Sequence, residues 1–113
     1  MIFRGAASRA VFNPARMGKS DLAVGEHLFS GLNALEPGQE HQPHSHCDRD
    51  KVYVILDGRG TLTIAEETAS VEPGDVAFAA AGVVHSLSNP GPQRLVALVV
   101  MGPPPAQGTK ADR

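Results

Sequence analysis

The chain has 113 residues and a formal net charge of −2, which is the size of one domain with a single core. Its 10 Lys and Arg residues are scattered singly, so we expect neither a nucleic acid nor an anionic membrane as a partner. The N-terminus lacks the apolar core of a signal peptide and no stretch approaches membrane-spanning length, so we expect a cytoplasmic protein.

Glycine and proline, with 12 and 9 residues, interrupt the chain too often for long helices, and short β-strands are predicted instead. The predicted strands lie, in chain order, at residues 10–12, 26–35, 39–46, 52–56, 61–65, 69–71, 76–78, 83–88 and 94–101. The most distinct strand, 52–56, is almost continuously apolar, as expected of a strand buried on both faces. The hairpin turn Asp57-Gly58-Arg59-Gly60 follows it.

Short strands separated by frequent turns, without a convincing helix, are typical of an all-β sandwich or barrel. We predict a single barrel domain over residues 1–101. Residues 102–113 are rich in proline, glycine and polar residues, and they cannot bury apolar surface. We therefore expect them to form a disordered C-terminal tail.

Three histidines lie at sequence positions from which a barrel of this kind could direct their side chains toward one metal ion. His44 and His46 form a His-x-His pair, and because side chains alternate across a strand both imidazoles lie on one face. His85 lies in a second stretch of the chain, with similar turn residues around it. Imidazole suits zinc, copper, iron and nickel, and a site with three protein ligands keeps positions open for a substrate. By the same alternation, His41 is expected to point away from this pocket.

The spacing around these histidines resembles the paired motifs of the cupin superfamily. The first motif places glycine, two histidines, glutamate and glycine at fixed intervals, and the second places glycine, proline, glycine, histidine and asparagine. The corresponding residues, in chain order, are Gly38, His44, His46, Lys51, Gly58, Gly74, Ala80, Gly82, His85 and Asn89. Every interval fits, with Lys51 in place of the glutamate and Ala80 in place of the proline. The resemblance covers residues 38–89 tightly and the flanking strands loosely.

The resemblance implies a cupin-type jelly-roll β-barrel of short antiparallel strands, which is often a homodimer. It also implies a divalent transition metal (iron, manganese, nickel, zinc or copper) held inside by His44, His46, His85 and the first-motif carboxylate. The superfamily includes dioxygenases, isomerases, decarboxylases, lyases, storage proteins and sugar-binding regulators, so the fold does not choose a reaction. The motif glycines are interpreted as turn residues that need unusual backbone angles.

Lys51 is the main departure from the motif, because a protonated ammonium repels a divalent cation. Three arrangements are open at this point. The metal binds through three histidines and water, or Asp48 or Asp50 replaces the missing carboxylate, or Lys51 replaces the metal as the anchor of an anionic substrate. A plainer alternative is that the lysine stem bends to the barrel mouth and pairs with a nearby carboxylate. Tyr53 shares the strand parity of Lys51, and it either faces the pocket or packs in the core.

The leading functional hypothesis is a metal-binding cupin enzyme of dioxygenase, isomerase, decarboxylase or lyase type. It would act on a small oxygen-rich or anionic substrate through the three-histidine centre, and it would be an oxidoreductase if the metal is iron and activates oxygen. Lys51 is the candidate catalytic residue, as a base when neutral or as a holder of a substrate carboxylate when charged. The alternative is a non-catalytic, small-molecule-binding or sensory cupin, in which the same side chains form a metal-free polar pocket.

Overall fold

The computed structural model describes residues 1–105, which form two antiparallel β-sheets around one core. A short 3-10 helix, Ala6–Arg9, precedes the strands β1 (Gly18–Val24), β2 (Phe29–Leu35), β3 (Glu40–His44), β4 (Asp50–Asp57), β5 (Gly60–Ile64), β6 (Glu67–Val71), β7 (Val76–Ala79), β8 (His85–Ser88) and β9 (Leu95–Gly102). One sheet has the order β1-β2-β9-β4-β7 and the other β3-β8-β5-β6. The prediction of an all-β jelly-roll barrel of short antiparallel strands is confirmed.

The N-terminal part differs from the prediction. Residues 10–12 do not form a strand, whereas residues 18–24 form β1, which pairs with β2 at the edge of its sheet. An edge strand has one neighbour and keeps its side chains partly exposed, so its apolar alternation is too weak to predict it. The tail was predicted at residues 102–113, but its first residue, Gly102, belongs to β9, and residues 106–113 lie outside the described residues. No helix in the described part of the chain is long and apolar enough to cross a membrane.

The core lies between the two sheets and receives alternate side chains from each strand. On β4, Tyr53 and Ile55 point inward and are buried, while the outward Val52 and Val54 are only half-buried. The apolar run of β4 therefore reflects one buried face and one partly covered face, rather than two buried faces. The other members of the core cluster are Met17, Phe29, Leu35, Leu62, Leu87, Leu95, Ala97, Val99 and Met101.

The glycines of the two motifs lie in turns and have the unusual backbone angles that the motifs predict. Gly38, Gly58, Gly74 and Gly82 have φ angles between 76° and 97°, which L side chains rarely adopt. Gly58 is needed for a second reason, because a Cβ atom there would collide with the carbonyl oxygen of Arg94. These turns bring the ends of β3, β4, β7 and β8 together around the interior of the barrel.

Asn89, the last residue of the second motif, has a structural role. Its amide Nδ2 donates hydrogen bonds to the carbonyl oxygens of Leu35 (2.9 Å) and Gln93 (2.8 Å), and its Oδ1 accepts one from the Gly91 backbone nitrogen (2.8 Å). The side chain is 1% exposed, so these bonds lie out of reach of water. They tie the end of β2 to the loop that follows β8.

Candidate metal centre

Strand pairing brings two of the three predicted ligands face to face. His44 ends β3 and His85 begins β8, and the two residues are directly opposed Cα partners in the antiparallel pair. His46 follows β3 by two residues, and its side chain is buried beside them. One ligand nitrogen from each of the three imidazoles lies within 4.8 Å of the other two. The structure thus brings the predicted ligand set together.

Backbone carbonyls orient two of the imidazoles. The Nδ1 atom of His44 lies 2.7 Å from the carbonyl oxygen of Gln42, and that of His85 lies 3.0 Å from the carbonyl oxygen of Val83. A carbonyl only accepts, so each Nδ1 carries the proton and each Nε2 keeps a lone pair. Hydrogen bonds of this kind fix the tautomer and the ring orientation of metal-binding histidines.

The Nε2 atoms of His44, His46 and His85 are all buried, and none has a hydrogen-bond partner among residues 1–105. Three buried ring nitrogens without hydrogen-bond partners are costly unless something binds them. A transition metal with nitrogen ligands at about 2.0–2.1 Å suits such a cluster. The residues therefore fit the divalent metal that the motif implies, although imidazole alone does not select one metal.

The protonation state of the cluster favours metal binding. Burial lowers the pKa of His44 and that of His46 from 6.5 to about 4, and the nearby Lys51 acts in the same direction. Burial also lowers the pKa of His85. The imidazoles are therefore neutral at physiological pH, which is the form that binds metals.

The nearby aspartates do not join the histidine cluster. Asp48 pairs with the guanidinium of Arg49 at 3.2 Å, and Oδ1 of Asp50 accepts a hydrogen bond from the Ala81 backbone nitrogen at 2.9 Å. Neither belongs to the group of potential ligands formed by the described residues. The idea that Asp48 or Asp50 replaces the missing glutamate therefore receives no support.

Lys51 lies inside the barrel with an exposure of 0%. Its Nζ atom lies over the ring of Tyr53, 4.6 Å from the centroid, and Tyr53 is buried as well. The shared parity of these two residues is confirmed, and the alternative in which the lysine bends to the barrel mouth is wrong. Burial, with a contribution from the charge of Lys19, lowers the pKa of Lys51 from 10.5 to about 7. Near neutral pH the amine is therefore close to half protonated.

His41 does not belong to the group of potential ligands, as expected, but it packs beside that group instead of pointing away from it. The β3–β8 register shifts between His41 and His44, and the two rings pack with their centroids 4.0 Å apart. The Nδ1 atom of His41 is buried without a partner in the described chain. Pro43 is the available signal, because a proline within a strand commonly marks an irregularity that changes which face a side chain takes.

A cleft of about 400 Å³ opens between β6 and β7, the edge strands of the two sheets. Its inner wall includes Leu62, Ile64, Val71 and Ala77, and its rim carries Glu67 and Asp75. The histidines do not line it. Ile64 is, however, the Cα partner of His85, so the cleft ends beside the metal-binding cluster.

A family model for the cupin domain matches residues 31–101. The chain belongs to the cupin family. The matched segment contains the three histidines, Lys51 and most of the core strands, and it leaves out β1.

Several known proteins are similar to this chain in sequence or in fold. An uncharacterized protein of Streptomyces coelicolor is 36% identical over 66% of this chain and 69% of its own length. The seed protein vicilin GC72-A of Gossypium hirsutum is 33% identical over 69% of this chain but only 14% of its own length. The crystal structure of the TT1209 protein of Thermus thermophilus aligns with a TM-score of 0.87 and 36% identity, covering 93% of this cupin and 100% of that chain. A predicted oxalate decarboxylase of Thermotoga maritima aligns with a TM-score of 0.71 and 25% identity, over 76% and 79% of the two chains.

The lowered pKa of Lys51 predicts a pH-dependent cost to folding. The unfolded chain binds a proton at Lys51 up to about pH 10.5 and the folded chain only up to about 7, so the cost is complete below pH 7 and disappears as the pH rises to 10.5. We expect Lys51→Met to raise the free energy of unfolding of the metal-free protein at pH 7. The difference in free energy of unfolding between Lys51→Met and the wild type should decrease by about 1.4 kcal/mol per pH unit between pH 7 and pH 10. Urea denaturation at several pH values measures this, and a constant difference would contradict the prediction.

Proposed function

We propose that this cupin is a metal-dependent enzyme that acts on a small, oxygen-rich or anionic substrate. The observation that carries the proposal is the convergence of one ring nitrogen from each of His44, His46 and His85, whose Nε2 atoms are buried without a hydrogen-bond partner among the described residues. A bound divalent metal would act there as a Lewis acid on a substrate oxygen, and with iron it would support oxidoreductase chemistry. With three histidine ligands, coordination positions stay open for the substrate.

In this proposal Lys51 is the catalytic residue of the pocket. Its pKa of about 7 makes both protonation states accessible near neutral pH, which suits a residue that takes up or releases a proton. The neutral amine can accept a proton from a substrate carbon or hydroxyl, and the ammonium can hold a substrate carboxylate. Since the side chain is wholly buried, bulk water does not compete for the proton.

A second function is favoured by Lys51 itself. A lysine at the position of the motif glutamate weakens the affinity for a cation, so a sensory or carrier cupin without catalysis is the competing proposal. In that case three neutral histidines and Lys51 form a polar pocket for a small anion. Binding without turnover, in protein that is free of metal, would favour this function over the enzyme.

We place either activity in the cytoplasm. Cys47 is free and exposed, and an exposed thiol persists most readily in a reducing compartment.

The metal centre predicts a stoichiometric metal that depends on the histidines. Protein purified without added metal, then dialysed against equimolar zinc, should retain about one zinc per chain by inductively coupled plasma mass spectrometry. His44→Ala and His85→Ala should each lose most of it. His27→Ala is the matched control, because that side chain is 87% exposed and lies outside the cluster. Equal retention by the wild type and His44→Ala would refute the site.

The zinc affinity should depend on the charge of the side chain at position 51. At pH 6, where Lys51 is mostly charged, we expect Lys51→Met to bind zinc about tenfold more tightly than the wild type because the repulsion is gone. Lys51→Glu should bind on the order of 100-fold more tightly, because a carboxylate ligand is added. Between pH 6 and 8 the affinity of the wild type should approach that of Lys51→Met, since the histidine pKa values of about 4 lie below this range.

Competition with a chromophoric chelator measures these dissociation constants. If the wild type and Lys51→Met bind zinc equally at pH 6, the lysine does not repel the metal, and its assignment to the pocket fails.

We also propose that the chain forms a homodimer through the outer face of the five-stranded sheet. Two rows of neighbouring apolar side chains cross this face: Phe78, Val52 and Val100, and Val76, Val54 and Leu98. Phe78 is 56% exposed and Val76 is 65% exposed. The outer face of the other sheet carries hydroxyl side chains in the corresponding rows: Thr61, Ser88 and Ser70, and Thr63, Ser86 and Thr68. Because neighbouring apolar side chains in water favour association, a second copy is the proposed occupant of the apolar face.

Light scattering coupled to size exclusion tests the dimer. The wild type should elute with twice the chain mass of 11.8 kDa. Phe78→Glu should be monomeric, whereas Thr63→Glu, which adds the same charge to the other sheet, should stay dimeric. A wild type that is monomeric at micromolar concentration would rule out this interface.

A further inference from the structure

We propose that the cleft between β6 and β7 binds an extended basic peptide, which pairs with β6 as an additional antiparallel strand. The peptide belongs to another protein and presents two basic side chains and a small apolar one on a single face. None of the histidines lines the cleft, so this contact does not depend on a bound metal.

β6 is the least protected of the four edge strands in the described sheets. β1 carries Lys19 and a register shift after Asp21, and β3 contains Pro43 and a register shift after His41. β7 is the shortest of the four, with 4 residues. β6 has no lysine, proline or register shift over its 5 residues. Because such features normally keep other chains away from a sheet edge, the bare edge of β6 suits a strand from outside.

The backbone of β6 directs hydrogen-bonding groups toward the open side. β5 and β6 are joined by the two-residue turn Ala65-Glu66, so Ile64 and Glu67 close the ladder as a hydrogen-bonded pair. Such pairs alternate along an antiparallel ladder, so the N–H and C=O groups of Thr68 and Ser70 point away from β5. No strand of the described chain lies on that side of β6. An added peptide strand would therefore find backbone donors and acceptors to pair with.

The inner face of β6 is apolar and uncovered. Ala69 is the Cα partner of the core residue Leu62 and therefore faces inward, yet Ala69 is exposed. Across the cleft, Ala77 is the Cα partner of the core residue Tyr53 and is the inward residue of β7. Two side chains of this size leave the seam between the sheets open, and the cleft of about 400 Å³ results. A valine-sized side chain between them would bury apolar surface on both strands.

The charge around the cleft is acidic. Residues 60–93 contain four acidic residues and neither lysine nor arginine. The acidic residues are Glu66, Glu67, Glu72 and Asp75. Among residues 1–105, Glu72 alone of these four forms an ion pair, with Arg59 at 3.1 Å. Because Glu67 and Asp75 line the cleft, it attracts a cationic partner and repels an acidic one.

The two carboxylates of the cleft lie at its opposite ends. Glu67 begins β6, whereas Asp75 belongs to the turn that connects the end of β6 with the start of β7. At about 3.3 Å per residue, β6 spans about 13 Å, so basic side chains at the first and fifth positions of an extended peptide reach both carboxylates. The third residue shares their face and meets the alanines of the cleft. The second and fourth residues pair through their backbone with the free groups of β6.

Nuclear magnetic resonance titration with the peptide acetyl-Lys-Thr-Val-Thr-Lys-amide tests this contact. We expect the peptide to shift the backbone amide signals of Thr68 and Ser70 in a saturable manner, and to bind more weakly as the ionic strength rises. A peptide with glutamate in place of both lysines should bind at least tenfold more weakly, because its charge is repelled. A peptide with both threonines N-methylated should also bind at least tenfold more weakly, because it lacks the pairing donors.

Each comparison excludes a different occupant of the cleft. Equal affinity of the N-methylated peptide would show that backbone pairing is not used, and equal affinity of hexylamine would assign the cleft to small apolar cations. Equal affinity of the glutamate peptide would show that charge does not select the partner. Shifts of Thr68 and Ser70 that depend on protein concentration alone would assign the edge to a second copy of the chain. Any of these results, or the absence of a shift at both amides, would overturn the basic peptide.

Variants of β6 test the same contact from the side of the protein. Ser70→Pro removes the outward N–H group, which an edge strand tolerates, and should weaken peptide binding at least tenfold. Ser70→Ala keeps this group and is the matched control, with an affinity within twofold of the wild type. Glu67→Lys should weaken binding severalfold, whereas Glu26→Lys makes the same change at a side chain that is 88% exposed outside the cleft and should have no effect.

Circular dichroism verifies the folding of each variant. If Ser70→Pro does not fold, the comparison of Glu67→Lys with Glu26→Lys still decides the outcome. Unchanged peptide affinity in every folded variant of β6 would overturn its role as the receiving strand.

Discussion

The alternation of side chains along β4 is the constraint on which the rest of the site depends. Tyr53 and Ile55 must face inward because they belong to the core, and Lys51, two residues before Tyr53, is then forced to the same face. A shift of one residue in the register of β4 would turn Lys51 outward, but it would also turn Tyr53 and Ile55 out of the core. The periodicity that builds the barrel therefore also brings a buried amine to the histidines, and the core holds that amine in place.

Burial also favours the neutral forms of the ionisable groups in the interior. It lowers the pKa of the histidines and of Lys51, because desolvation disfavours each charged form. The neutral imidazoles are good ligands, and the amine titrates near physiological pH. Relative to a motif glutamate, a protonated Lys51 changes the charge beside the metal by two units. A metal held here would be more electrophilic than one with a carboxylate ligand, and its binding would rely on His44, His46 and His85.

The sequence predicted those parts of the site that follow from spacing. The His-x-His pair, the third histidine and the positive φ angles of the motif glycines all lie within residues 38–89, where the intervals are fixed. The sequence left Lys51 open between the pocket and the barrel mouth, and its parity with the core residues Tyr53 and Ile55 explains why it lies inside. His41 was misplaced because an irregularity in β3 breaks that parity, and β1 was missed because an edge strand needs little apolar patterning. Asn33 carries no local signal, since only the pairing of β2 with β9 shows that it faces the interior.

His44 and Asn33 illustrate two kinds of position in the barrel interior. The two motif segments supply the three histidines, and the spacing of these segments is restricted because one nitrogen of each histidine must meet the others. The opposite wall, formed by β2, β9 and β4, has no such restriction on its spacing, and single side chains there change the polarity of the interior without disturbing the ligands. On this wall, the Nδ2 atom of Asn33 and the hydroxyl of Tyr53 are buried without a hydrogen-bond partner among the described residues. The polarity of the barrel interior therefore depends on Asn33 and Tyr53, which lie outside the motif positions, as well as on the histidines and Lys51, which occupy them.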